Sequence, residues 1–334
     1  MLGRAEASPI KERSTGIPFL HELLVFSGRQ RPENELNEAQ LTQFLIEQRK
    51  KQIEEALPHD VASLQSYKEQ FGEALKYSLM AEYPARPQLV TGTPDVTNAG
   101  DVITKRFTVS RPDHGDLVQM TIREQEKPLL KPVVLVLSAA DILEAEEGAK
   151  AKRDRDSLIN SLIQSGHTAA TINYFPAHQA AAASKYKFFT TYNRTDAANR
   201  IQDILTAISI LHSRNEKGLS VVALDKAGVL ALLARGLAPQ LDRMLIDASQ
   251  LDVSSDEEFL KWLPIPGIRR AGDFVTAVAI APLTPLRVHN TGDKFQTARI
   301  AEIYRRLGRA QDFQSQQKAL SNAEIITWLS AKRP

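Results

Sequence analysis

Two rhythms of apolar and polar positions divide the chain. From Asn37 to Leu57, the residues Leu41, Phe44, Leu45, Ile53, Ala56 and Leu57 fall largely on one face of a 3.6-residue repeat, and the opposite side is charged through EQRKK. This predicts an amphipathic helix. Asp60 is a good N-cap for a second helix, in which Val61, Leu64, Phe71, Leu75 and Leu79 keep the same period up to the Pro84 region. Residues Met1 to Gln30 carry no clear rhythm, and LHELLVF (Leu20 to Phe26) is too short to assign. The segment is expected to wrap over a larger body.

Beyond Val90 the pattern shortens to a strand-like period. DVITKRFTVS and DLVQMTIRE flank the turn-forming RPDHG, which predicts an antiparallel hairpin. KPVVLVLSAAD (Lys131 to Asp141) is a continuous apolar run of strand length, followed by a polar loop and the helix DSLINSLIQSG ending at Gly166. HTAATINYF, LSVVAL, RMLIDA and TPLRVHN repeat the apolar run, and NRTDAANRIQDILTAISILHS is a strongly amphipathic helix between two of them. The central strands are therefore expected at Val133–Leu137, Ala169–Tyr174, Val221–Leu224, Met244–Asp247 and Leu286–His289. Unbroken apolar strands alternating with helices imply an α/β fold, a mostly parallel sheet flanked by helices, with an N-terminal helical lead-in. The expected division is residues 1–90 as the irregular and helical lead-in and residues 91–334 as the main domain. Ligands in such sheets bind at the carboxyl ends of the strands. The residues to inspect are thus Ser138 to Asp141, Asn173, Tyr174, Asp225, Lys226, Asp247 and Asn290 to Asp293.

VVALDKAGVLALLARGL (Val221 to Leu237) reads as a buried strand, a tight turn and an apolar helix. In α/β-hydrolases this turn is written G-x-S-x-G and holds the nucleophile on a strained corner. Aligned on it, Ala223 and Ala227 keep the small flanking positions and Asp225 stands where the serine would be. The stretches FFTTYNRTDAANRIQDILTAISIL, VVALDKAGVLALLARGLAPQLDRMLID and LPIPGIRRAGDFVTAVAIAPLTPLRVHNTGD resemble the acetyl xylan esterase-like branch of the α/β-hydrolases. They are most similar to the serine-less second domain of its two-domain members. The resemblance covers roughly residues 100 to 295 and implies an esterase scaffold that partners a catalytic hydrolase domain or forms a homo-oligomer, with a carbohydrate ester as the ligand class.

A triad in the hydrolase order, nucleophile then acid then histidine, needs a late histidine. After Asp225 the only one is His289, inside a predicted strand and ahead of Asp293, the usual place for the acid. Two readings of Asp225 follow. It is an aspartate nucleophile, which still requires a histidine to activate water; or it is structural, capping the following helix or pairing with Lys226. The structural reading is favoured. Asp247 and Asp293 are candidate relics of the acid, better explained as caps and turn formers. His289 with either of them falls short of a metal site, and a satisfied, partly buried imidazole is the better reading. SAADILEAEEG occupies the oxyanion-loop position without a His-Gly sequence. Arg194, Arg200 and Asp203 are expected on a helix as surface or inter-element ion pairs.

Composition narrows this picture. With 42 Lys and Arg against 40 Asp and Glu, scattered along the chain, there is no footprint for nucleic acid or an anionic membrane. The absence of cysteine excludes disulfides, thiolate metal sites and cysteine nucleophiles. No phosphate-binding glycine motif is present, so no cofactor is expected. No apolar run approaches the ~18 residues of a membrane span, and the compartment stays open to a periplasmic or extracellular setting if a leader once preceded Met1.

Overall fold

The computed structural model describes residue 16 and residues 18–331, apart from 128, 130, 141, 144, 175–186 and 215–217. Asp141 and the alanine run at 180–183 therefore lie outside the described residues. The chain divides into two compact units, Met1–Lys51 and Gln52–Pro334. In the first, a helical turn at Leu20–Leu23 is followed by the start of a long helix, Glu38–Ala56. Asn37 opens that helix with a reciprocal cap: its Oδ1 accepts from the Gln40 amide at 2.9 Å while Gln40 Oε1 accepts from the Asn37 amide at 3.0 Å. No described residue of this unit is buried.

The second unit holds a ten-stranded sheet. Its strands are β1 (Val90–Thr91), β2 (Asp95–Ala99), β3 (Val102–Arg111), β4 (Asp116–Gln125), β5 (Val133–Leu137), β6 (Ala169–Asn173), β7 (Leu219–Ala223), β8 (Arg243–Asp247), β9 (Leu286–His289) and β10 (Phe313–Ser315). The main path runs β1-β3-β4-β6-β5-β7-β8-β9-β10, with β2 also on β3. From β6 to β10 every pairing is parallel, and the β3–β4 hairpin joins antiparallel at one side. The hairpin and the five central strands lie where the apolar runs predict them. The entering strand at the corner ends one residue earlier than expected, at Ala223. The two-residue β1, the fully exposed β2 and the three-residue β10 carry no readable alternation, being edge segments with one neighbour each.

Alternate side chains of the central strands serve two separate cores, which is why these strands read as unbroken apolar runs. Leu135, Leu137, Val221, Ala223, Met244 and Ile246 face a large cluster with the helices Asp196–Arg214 and Ala227–Arg235. Val134, Val136, Val222 and Leu245 face a smaller one with Leu158 and Leu162 of the Ala145–Gln164 helix and with Ile325 and Trp328 near the C-terminus.

The predicted second helix is capped at Asp60, whose Oδ1 accepts from the Ser63 amide at 2.7 Å. It is not one regular helix: Val61–Tyr67 and Glu73–Leu79 are joined by a π-helical segment, Lys68–Gly72. The buried residues Tyr67, Phe71, Leu75 and Leu79 recur every four positions. Against a 3.6 repeat that spacing drifts round the helix, and a wider π turn absorbs part of the drift.

The decisive contact for the site lies after β7. Gly228, in the first turn of the Ala227–Arg235 helix, passes so close to β8 that a Cβ there would stand 1.9 Å from the Asp247 carbonyl oxygen. Backbone on backbone cannot yield as a side chain can. Gly228→Ala is therefore expected to lose about 3 kcal/mol or more, or not to fold. Gly115→Ala, whose Cβ meets nothing within 4 Å at φ 69, should cost only the left-handed strain of about 1 kcal/mol. Urea denaturation of the two variants checks the contrast, and near-equal losses would show that the close approach is not a constraint.

Candidate active site at the strand-to-helix corner

The corner between β7 and its helix is built from small residues around one strained position. Asp225 adopts φ 46, a left-handed conformation that non-glycine residues seldom occupy, and Ala223 and Ala227 are fully buried on either side. In α/β-hydrolases this geometry lifts the nucleophile above the sheet. Here it presents a carboxyl that three donors claim. Oδ2 accepts from the Ser138 hydroxyl at 2.7 Å, and Oδ1 accepts from the Ala139 amide at 2.7 Å and the Ala227 amide at 3.1 Å. Ser138 and Ala139 follow β5, and Ala227 opens the helix, so one side chain ties together the ends of two adjacent strands.

Ala139 stands on the loop that supplies an oxyanion N–H in hydrolases of this fold. The amide is present, and it points at the protein's own carboxyl. Burial pushes that carboxyl up to about 6 from the usual 3.8, against the three donors that pull it down, and the charge of Asp247 adds to the rise.

Lys226 does not pair with Asp225 as the sequence suggests. Its ammonium lies 4.4 Å over the Trp262 ring and 3.9 Å from Glu147, because the left-handed turn throws successive side chains apart. Asp225 does accept from the amide of Ala227, the helix's first residue, while the N-cap position itself is Lys226, which makes no side-chain cap bond.

Asp247 ends β8 and acts as a turn former: its Oδ1 accepts from the Ser249 amide at 2.6 Å and the Asn290 amide group at 2.8 Å. Asp247 thereby ties Ser249 to Asn290, and Gln250 bonds Asn290 directly, all three at positive φ. Asp247 faces His289 in register across β8 and β9. The imidazole is 2% exposed, more deeply buried than expected, and only half satisfied. Nδ1 accepts from the Leu320 amide at 3.2 Å, which leaves the proton on Nε2, and Nε2 has no hydrogen-bond partner among the described residues. Burial holds this histidine below its ordinary basicity, with Asp247 opposing the shift. Asp293 stands apart, exposed in the loop after β9, accepting from the Gln317 side chain at 2.9 Å.

Corner and strand ends thus bring Asp225 near Asp247 and Asp247 beside His289, while no hydrogen bond joins His289 to Asp225. Sequence reasoning missed Ser138 and Ala139 as the partners of Asp225. The signal was the abrupt change to small residues, SAA, straight after an apolar strand. Arg194 precedes the helix it was expected on and lies 3.9 Å from Asp116, whereas Arg200 pairs with Asp196 at 3.8 Å and Asp203 is buried. Among the described residues no three His, Asp or Glu side chains gather as a metal site, and no helix is long and apolar enough to cross a membrane.

No family model matches this sequence, and no curated protein matches it. Solved structures share its architecture. A glucuronoyl esterase from Solibacter usitatus is similar with a TM-score of 0.55 at 12% identity, over 81% of this chain and 92% of that one. A promiscuous CE15 esterase from a marine bacterial metagenome gives 0.52 at 12%, over 78% and 89%. Acetyl xylan esterase 1 from Thermoanaerobacterium sp. JW/SL YS485 gives 0.50 at 9%, over 81% and 99%. The chain has the α/β-hydrolase fold of these esterases.

The buried carboxyl has a measurable consequence. Because folding raises its pKa from 3.8 to about 6, the native chain binds that proton more tightly than the unfolded chain. Its burial is tolerated fully below the unfolded value, and stability falls as pH rises through the folded one, by about 3 kcal/mol at most. In Asp225→Asn the amide oxygen keeps both backbone donors and the amide nitrogen donates to Ser138. The variant should match the parent near pH 4 and melt higher at pH 8. A gain that is absent at pH 8, or equal at both pH values, would contradict the assigned environment.

Proposed function

We propose that this chain is an esterase-type α/β-hydrolase scaffold that no longer hydrolyses esters and acts as a structural partner, either of a catalytic hydrolase domain or of a second copy of itself. One observation carries the reading: the residue in the nucleophile's place is a carboxyl already bonded to Ser138, Ala139 and Ala227. A hydrolase needs those donors free for the oxyanion that develops in the transition state. It needs a histidine against the nucleophile as well, and His289 is bonded to the Leu320 backbone instead. With the nucleophile's place and an oxyanion donor engaged, and no hydrogen bond joining His289 to Asp225, only weak residual catalysis is expected.

The structural neighbours include acetyl xylan and glucuronoyl esterases, which makes carbohydrate esters the ligand class to try first for any binding role. The alternative of a small-molecule binding module using the vestigial pocket would place its ligand at the corner. A cavity of about 240 Å³, lined among others by Arg243, Asp312 and Trp328, lies elsewhere, at the amino-terminal ends of β8 and β9, the opposite end of the sheet from Asp225.

The chain should remain unlabelled by a fluorophosphonate and leave nitrophenyl acetate at its buffer rate. Asp225→Ser alone should not restore turnover, since among the described residues no histidine is hydrogen-bonded to Asp225. Intact-mass spectrometry after haloalkane, epoxide and acetylated-sugar exposure should show no adduct. An ester adduct mapping to Asp225 and lost in Asp225→Asn would instead establish an aspartate-centred hydrolase.

A further inference from the structure

The apolar surface of the chain is concentrated in its first unit. Ten large apolar side chains between Phe19 and Leu45 are exposed, Phe44 and Leu45 at 52% each, and no described residue of the unit is buried. Its described residues form no buried core of their own, and exposed apolar side chains in this number mark an interface. On the Glu38–Ala56 helix the stripe is Leu41, Phe44 and Leu45, spaced i, i+3 and i+4. We infer that this stripe is a self-association surface on which the same helix of a second copy lies antiparallel.

Charge selects this occupant. Described residues 18–51 carry five acidic and five basic side chains, so the unit has no net attraction for an anionic membrane surface. On the helix itself Glu38 stands before the stripe and Arg49, Lys50 and Lys51 stand after it, with Glu47 next to them, while Glu35 ahead of the helix is paired with Arg31. Glu38 and Arg49 are eleven positions apart, about three turns, and so flank the stripe on the same side. In an antiparallel pair, like flanks meet. Each Glu38 then faces the other copy's Arg49, with Phe44 and Leu45 crossing their own mates near the two-fold axis. A parallel pair would set the acidic ends together and the basic ends together. The arrangement is isologous, so it closes at two copies.

This surface would supply the second-copy partner proposed above, and it is tested by mass rather than by chemistry, so either reading can fail alone. Light scattering of the full chain over a concentration series should give twice the single-chain mass, falling to one chain on dilution. Phe44→Glu should raise the dissociation constant about tenfold or more, with the thermal melt of the main body unchanged. Glu38→Arg and Arg49→Glu should each weaken the dimer, and the two together should restore it. A chain of single mass at every concentration, one that pellets with phosphatidylserine vesicles without self-associating, or a dimer that Phe44→Glu leaves intact overturns the proposal. A charge swap that fails to rescue overturns the antiparallel pairing.

Discussion

The fold of the main unit depends on how closely the helix after β7 is pressed onto β8. With no side chain at Gly228, helix backbone meets the Asp247 carbonyl, and all nine residues of Ala227–Arg235 sink into the core. That depth lets the helix pack against both Asp196–Arg214 and Asp273–Ile280. At its far end Arg235, itself 2% exposed, donates to the carbonyls of Pro282 and Thr284 and to the Tyr304 hydroxyl. The loop that delivers β9 is therefore held by the same helix. One helix thus touches the end of β8 and, through Arg235, the loop that enters β9.

The chain can enter such a helix only through a sharp corner, and the corner has to be left-handed at Asp225. In a hydrolase that strain is useful because it exposes a reactive group. Here the same strain is offset by hydrogen bonds. Asp225 accepts from the end of β5 and from the helix, and Asp247 does the equivalent for the loops after β8 and β9. Both carboxyls stand at strand ends where backbone amides lack ladder partners, and both supply acceptors there. The left-handed corner and the strand ends around it are thus tied together by these two carboxyls.

Much of this was legible in the linear chain. Hydrophobic burial on two faces leaves an unbroken apolar run whatever the neighbours are, so β5 to β9, the hairpin and the corner could all be located from residue type and period. The positions of Asp225 and Asp247 at strand ends follow from the same runs. The Asp60 cap was equally readable, because capping is local and needs only a side chain three residues from its amide.

What tertiary structure alone decided is whatever depends on partners far along the chain. Ser138 and Asp225 are 87 residues apart, and nothing in either stretch marks them as bonded until β5 and β7 pair. Lys226 is adjacent to Asp225 in sequence yet turns to Trp262 and Glu147, because backbone handedness at the corner, not proximity along the chain, sets side-chain direction. The edge strands escaped because one neighbour imposes no alternation, and the π turn escaped because its cause is a packing demand from the body it faces. Sequence determined which groups exist and which surfaces must be buried. Folding determined which donors each carboxyl meets and how deeply it is buried, and those two terms set its charge and its availability for chemistry.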